Sequence, residues 1–389
     1  MTANNVGVPM GDLLTMTLVH PADRGPQPWW RSAVLYEYAF VAGQCPDLAR
    51  ACVAEAVVLG TDGAVLPTGV ESVDTATAAD IVAAHHDAGL RLIPSLAPSR
   101  GQDGMLADAE LWLEAGADGI DLRSALAAGI VHNSGPFHAL LAHYGDDLLL
   151  AGAMRTADDL PAHLAEQWLG HLRDDSLTDV PWKTDAIRAA VTENFQLRDA
   201  LGATPAWTTT YAMYRIGPSG QSWQADRMSP ARVRATALMV MALPGAVYLL
   251  QGEEVGLRDW SLDQEPHERC QMVKRLHAEQ HNNPASMVEH YRRSLHLRRE
   301  FQLGSGTVAW VDSHTAELSL LQLVNRRHLI ILNTTAAAVT LPAEMSVVHA
   351  SADMRRLADG RLVLPADTAL MSHLPDFGTP APENKGWHG

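Results

Sequence analysis

The sequence predicts an α/β fold: a (β/α)8 barrel over residues 28–303, followed by a small antiparallel β domain over residues 304–373. Three observations predict it. Eight apolar segments alternate with helical ones, which means a parallel sheet, and a closed barrel is the economical form of such a sheet. The 389 residues are too many for one small core and suit a barrel of roughly 250 residues plus a second unit. Past Gly304 the pattern changes to short strands separated by turn residues.

Residues 1–27 are polar, with Gly and Pro, and read as a flexible arm. The first strand ends the stretch Pro28 to Tyr38. A helix from Asp47 to Gly60 follows and carries Cys52; Cys45 is placed on the same helix. Gly63 to Pro67 is the second strand. The next helix runs from Thr77, its expected N-cap, to a stop at Gly89. Leu90 to Ala97 is the third strand, with Pro94 awkward in a central position. A helix from Met105 to Ala115 stops at Gly116, and the fourth strand leads into Asp121 and Arg123. Side chains alternate along a strand, so Asp121 and Arg123 are expected to share a face, toward the barrel interior. Buried charges must be paired, so this reads as an ion pair or as a site at the carboxyl end of a barrel strand.

The fifth strand is Asp147 to Gly152, followed by a helix from Asp158 to Leu172. The sixth is Leu177 to Trp182, with a helix from Thr184. The seventh is Ala206 to Tyr211. A helix from Pro230 to Leu243, capped by Ser229 with Pro in its first turn, precedes the eighth strand, Ala246 to Leu250. A last helix covers Ser286 to Glu300. Beyond it, Thr307 to Trp310, Leu318 to Val324, His328 to Asn333 and Leu362 to Leu364 read as strands, and residues 374–389 as a disordered tail.

Composition bounds the function. The formal net charge of -16 argues against nucleic acid and anionic membranes as partners, since both need basic patches. Three lysines stand against 26 arginines, a bias read as genomic. The three cysteines, Cys45, Cys52 and Cys270, make neither a metal spacing nor an even disulfide framework. The histidines, His85 and His86 included, show no ligand spacing with Asp or Cys, so no metal and no cofactor is expected. No apolar run approaches the roughly 20 residues of a membrane span, and no leader pattern opens the chain. The expected location is the cytoplasm.

The stretch from Arg232 to Leu257, RVRATALMVMALPGAVYLLQGEEVGL, closely resembles the helix, turn and eighth strand of bacterial α-glucosidases, which end in Gln-Gly-Glu-Glu. Pro28 to Tyr38 resembles the opening Trp-Trp-x-x-Ala-Val-x-Tyr of the same family, and Ser286 to Arg299 its helix before the C-terminal domain. The chain therefore resembles glycoside hydrolase family 13, the α-amylase and α-glucosidase family, over about residues 28–373. The resemblance implies a TIM barrel with a C-terminal β domain and the chemistry of retaining glycoside hydrolysis or transfer in carbohydrate metabolism. In that chemistry one carboxylate attacks the sugar and another protonates the leaving oxygen, the two lying roughly 5 Å apart.

The motifs that carry this chemistry are altered. The family's Gly-Phe-Arg-Ile-Asp reads here Gly119-Ile120-Asp121-Leu122-Arg123, so Arg123 stands at the nucleophile position. The Gly-Glu of the acid/base reads Gly152-Ala153. The Asn-His-Asp of the third acid has no acid in Trp207 to Met213, where Met213 takes its place. The strand-three motif has become Ser95 to Arg100. About twenty residues separate Pro98 from Ile120, enough for one helix and not for the family's subdomain. Asp121 is the acid that remains in a matching motif, about 6–7 Å deeper along the strand. Glu253 and Glu254 correspond to structural or rim residues.

The candidate pocket residues are Tyr36, Arg100, Asp121, Arg123, Trp207, Tyr211 and Arg215. Aromatic faces stack on sugars, although core packing is their commoner role, and arginines suit an anion. Three functions follow: a hydrolase-dead relative acting as an interaction or regulatory protein, with a partner such as an intact homologous glycosidase; a non-catalytic binder of a sugar or sugar phosphate; or an active α-glucosidase-like enzyme with relocated acids.

Overall fold

The computed structural model describes residues 15–374, apart from 44, 70–71, 127, 155–159, 174–175, 178–179, 210–214, 217–221, 224–228, 258–264 and 313–319. Eight parallel strands form the expected barrel: β1 (Val34–Glu37), β2 (Gly63–Pro67), β3 (Arg91–Ser95), β4 (Gly119–Asp121), β5 (Leu149–Ala153), β6 (His171–Arg173), β7 (Ala206–Thr208) and β8 (Ala246–Leu250). The ladder runs β6-β5-β4-β3-β2-β1-β8-β7. β6 and β7 touch without a paired register, so the barrel is nearly closed.

Side-chain alternation sorts each strand into an inner and an outer face. Ala33, Leu35, Val65, Ile93, Leu149, Ala151, Ala206, Ala246 and Tyr248 fill the interior. Tyr36, Ala64, Leu92, Ile120, Leu150, Trp207 and Leu249 face the helices. Pro94 is tolerated in β3 for a reason that parity supplies. Leu92 and Leu96 direct their N–H groups toward the β4 side, to Asp118 and to the Asp121 carbonyl. Pro94, lying between them, has no N–H to give there, and β3 and β4 accordingly share a single register pair, Ser95 with Asp121.

Several expected elements differ. The helix expected over 47–60 is two, Pro46–Ala51 and Val53–Leu59, with Cys52 at the junction and Cys45 preceding the first. The helix after β2 is capped by Asp74, whose carboxylate accepts from the Thr77 N–H, and not by Thr77. The sixth strand lies at His171–Arg173, before the expected segment, and the preceding helix is only Leu160–Ala165. Two further helices, Gly135–Tyr144 and Pro266–Gln280, were not among those expected. Between β3 and β4 the chain has a 3-10 turn and one helix, Gly101–Glu114.

The β domain holds a sheet in which Val308–Asp312, Leu320–Asn325, His328–Asn333, Thr368–His373 and Ser346–Ala350 pair antiparallel in that order. The expected flexible arm needs correction: Thr15–His20 is a strand that pairs with Val308–Asp312 at the edge of this sheet. Its backbone finds ladder partners there even though four of its six side chains are exposed. The expected tail, beyond Leu374, lies outside the described residues. Helix Pro230–Met241 is buried on nearly every side and packs on Thr368–His373, so one core runs from the barrel helices into the β domain. Among the described residues no helix is long and apolar enough to cross a membrane.

Candidate functional site at the barrel mouth

The strand ends at the carboxyl face of the barrel bring four charged side chains together. β4 stops at Asp121. Leu122 turns into helical geometry, and Arg123 has φ 52°, an uncommon conformation for a residue with a Cβ. The turn is built by Asp121 itself, whose Oδ1 accepts from the Arg123 N–H at 3.0 Å, an Asx-type arrangement. Strand alternation therefore stops at Asp121, and Arg123 does not share its face.

The partner of the Asp121 side chain is Arg173, at the end of β6. Arg173 Nη2 meets Asp121 Oδ2 at 2.6 Å, with the two side chains 6% and 0% exposed. Arg173 Nη1 reaches Glu37 Oε2, at the end of β1, at 2.9 Å. Arg123 Nη2 reaches the other oxygen of Glu37 at 3.3 Å and is 41% exposed. Two acids and two bases thus form one connected network of zero formal charge. Burial opposes the Arg173 cation, but Asp121 and Glu37 outweigh it and its pKa is raised. Its guanidinium also lies over the Tyr248 ring, 4.2 Å from the centroid, a favourable cation–π position. Beneath it the Tyr248 hydroxyl is 2.7 Å from His171 Nδ1, and His171 Nε2 is 2.8 Å from the Trp30 carbonyl. A carbonyl only accepts, so His171 carries its proton on Nε2 and accepts from Tyr248. Burial, helped by the Arg173 and Arg198 charges, holds His171 down to about 3.

The other expected pocket residues fall elsewhere. Tyr36 does not line the mouth: it lies between the inward-facing Leu35 and Glu37, so it faces outward, is fully buried and donates to Glu254 Oε1 at 2.7 Å. Trp207 is likewise outward and buried, with its Nε1 donating to the Pro244 carbonyl and its ring against Phe195. Arg100 follows β3 and is bound to Asp108 at 3.1 Å. Ala153 closes β5. Tyr211 and Met213 lie outside the described residues, and Arg215 sits in a two-residue strand paired with Trp223 whose side chains are not described. Glu253 and Glu254 are buried and structural: Tyr291 donates to Glu253, while Tyr36, His277 and the Gly252 N–H hold Glu254.

Two residues of the network escaped sequence reasoning. Glu37 was findable, since it shares the parity of Leu35 on a strand whose inner face is the barrel interior. Arg173 was not, because three residues, His-Leu-Arg, carry no periodic signal and continue the preceding helix pattern.

No protein-family profile matches the chain, and no curated protein matches it in sequence. Solved structures do share its fold. A trehalulose synthase mutant superposes with a TM-score of 0.63 at 13% identity, covering 90% of this chain and 100% of that one. A debranching enzyme from Nostoc punctiforme gives 0.61 at 11%, covering 91% and 99%. An isomaltulose synthase from Klebsiella sp. LX3 gives 0.60 at 10%, covering 90% and 100%. At such identities the likeness is one of fold: the barrel and the β domain of glycoside hydrolase family 13 enzymes, one of the matches being described as a family GH13_31 enzyme.

Proposed function

We propose that this chain is an α-amylase-type barrel that has lost glycoside hydrolysis and works as a non-catalytic interaction or regulatory protein. The observation that carries the reading is the clamping of both mouth carboxylates by one guanidinium. Arg173 holds Asp121 and Glu37 together. A nucleophilic carboxylate must be free to bond the anomeric carbon, and an acid must be able to hold a proton at neutral pH. Both carboxylates are spent on the Arg173 guanidinium, at 2.6 and 2.9 Å, and neither stands free for either role. Ala153 offers no proton where the resemblance expects the acid. Arg123 places a permanent cation near the site of developing positive charge, which is repulsive where catalysis needs attraction.

The same network favours a second reading, the relocated-acid enzyme, because two carboxylates within reach of one guanidinium are also near neighbours. One assay separates the two. Purified protein is incubated with an aryl α-glucoside and with maltose beside Asp121→Asn and Glu37→Gln variants. No turnover above the buffer blank is expected from any of them. Turnover by the wild type that disappears in either variant makes the pair catalytic and ends the non-catalytic reading. The half-exposed Arg123 gives a sugar phosphate a point of attachment. Pull-down of an intact homologous glycosidase tests the protein-partner form of the proposal.

A further inference from the structure

At the opposite end of the barrel, the amino end of β1 and the last helix enclose a cavity of about 300 Å³ lined by Ser32, Asp62, Arg298, Arg299, Gly304 and Ser305, among others. Arg298 is 3% exposed. Its guanidinium donates to the carbonyls of Met241, Leu243 and Gly245. These satisfy hydrogen bonds but supply no counter-charge. Among the described residues no carboxylate pairs with it, unlike Arg173. The acid lining the cavity, Asp62, is committed elsewhere: Oδ2 accepts from the Val34 N–H at 2.8 Å and Oδ1 from Arg299 at 3.1 Å. The lining therefore carries two guanidinium groups against one carboxylate. A buried charge without a counter-charge is costly, and burial draws Arg298 down to about 10, opposed only by Asp62.

Space beside the guanidinium is kept by Gly304. A Cβ there would lie 3.0 Å from Arg298 Nη2 and 2.7 Å from the Ser32 Cβ. This also fixes Ser32 as a close neighbour of the uncompensated charge. We propose that this cavity binds a small oxyanion of the phosphate class, held by Arg298 and Arg299 with the Ser32 hydroxyl as a third donor. The planar, multi-donor guanidinium matches an oxyanion better than a spherical halide, and at about 30 Å³ per water the volume admits a tetrahedral ion with part of its hydration shell. The site is separate from the barrel mouth and does not depend on the proposed loss of hydrolysis.

Arg298 anchors three carbonyls, so replacing it confounds binding with folding; Arg299, 60% exposed in its side chain, and Ser32 carry the test. Melting temperature is followed against inorganic phosphate at constant ionic strength, with chloride as the control, and binding is measured by calorimetry. The wild type is expected to show a saturable rise with phosphate and none with chloride. Arg299→Gln is expected to bind at least tenfold more weakly. Ser32→Asp, which supplies the missing carboxylate in place, is expected to melt higher than wild type without phosphate and to lose the phosphate response. A wild type without a saturable response, an equal response to chloride, or a response unchanged in both variants overturns the proposal.

Discussion

Asp121 and Arg123 differ in consequence although they lie two residues apart. Asp121 is fully buried and is one of two counter-charges to Arg173. Asp121→Ala leaves that cation with Glu37 alone, and removing one partner of a buried pair costs about 3–5 kcal/mol. Arg123→Ala breaks a half-exposed pair and is expected to cost less than about 1 kcal/mol. Urea denaturation of the two variants measures the contrast; equal losses would mean that Arg123, not Arg173, is the true partner. Buried titratable groups set the pH response. Burial holds His171, His290 and His349 down to about 3, 3 and 4. The unfolded chain protonates them near pH 6.5, so their contribution is full above that pH and is lost as pH falls toward 4. Glu253 has the opposite sign. Burial pushes it up to about 7 from 4.5, so its contribution is full below about pH 4.5 and is lost as pH rises to 7. Glu253→Gln is expected to gain of the order of 3–4 kcal/mol at pH 8, at about 1.4 kcal/mol per pKa unit, and to lose that advantage at pH 4.5, by thermal melts at both pH values.

At the scale of elements, legibility followed the strength of the local signal. β2 and β8 were read to their ends, because continuous apolar runs bounded by Gly and Pro leave little choice. The helix read over Ser286 to Glu300 is Met287–Glu300, capped by Ser286, whose hydroxyl accepts from the Glu289 N–H at 3.2 Å and donates to the Gln280 carbonyl at 2.9 Å. Ser286→Ala is expected to lose about 1–2 kcal/mol, measured by chemical denaturation. Helix Pro266–Gln280 was missed because only Cys270, Val273 and His277 of its residues are buried, a stripe too thin and too polar to register. β6 was misplaced because it is three residues long. The mouth depended on β6, so the residue that explains the site was hidden by the weakest strand. The sequence placed Asp121 correctly and paired it wrongly, because the turn its own carboxylate builds is not a strand.

Over the whole molecule, the barrel helices and the β domain share one apolar core, in which Leu238, Met239 and Val240 join Leu321, Leu323, Ile330 and Met371. A boundary near residue 303, legible as a change of pattern, is therefore not a boundary of stability. One cooperative transition is expected in calorimetry, with the calorimetric and van't Hoff enthalpies equal. A chain ending at 303 is expected to lose near-ultraviolet circular dichroism and to aggregate, since it exposes the covered face of helix Pro230–Met241. Two separate transitions would mean that the shared core is energetically divided.

The strand Thr15–His20 pairs with Val308–Asp312, and this has a consequence in time. During synthesis the chain emerges from its amino end, and the partner of this strand is made almost three hundred residues later. At about 5–20 residues per second the wait is on the order of 15–60 s. Through that interval every barrel strand leaves the ribosome before Thr15–His20 can dock. Thr15–His20 is thus among the last segments to be secured, and the nascent barrel assembles while a ribbon that carries Met16 and Leu18 still waits for its partner strand.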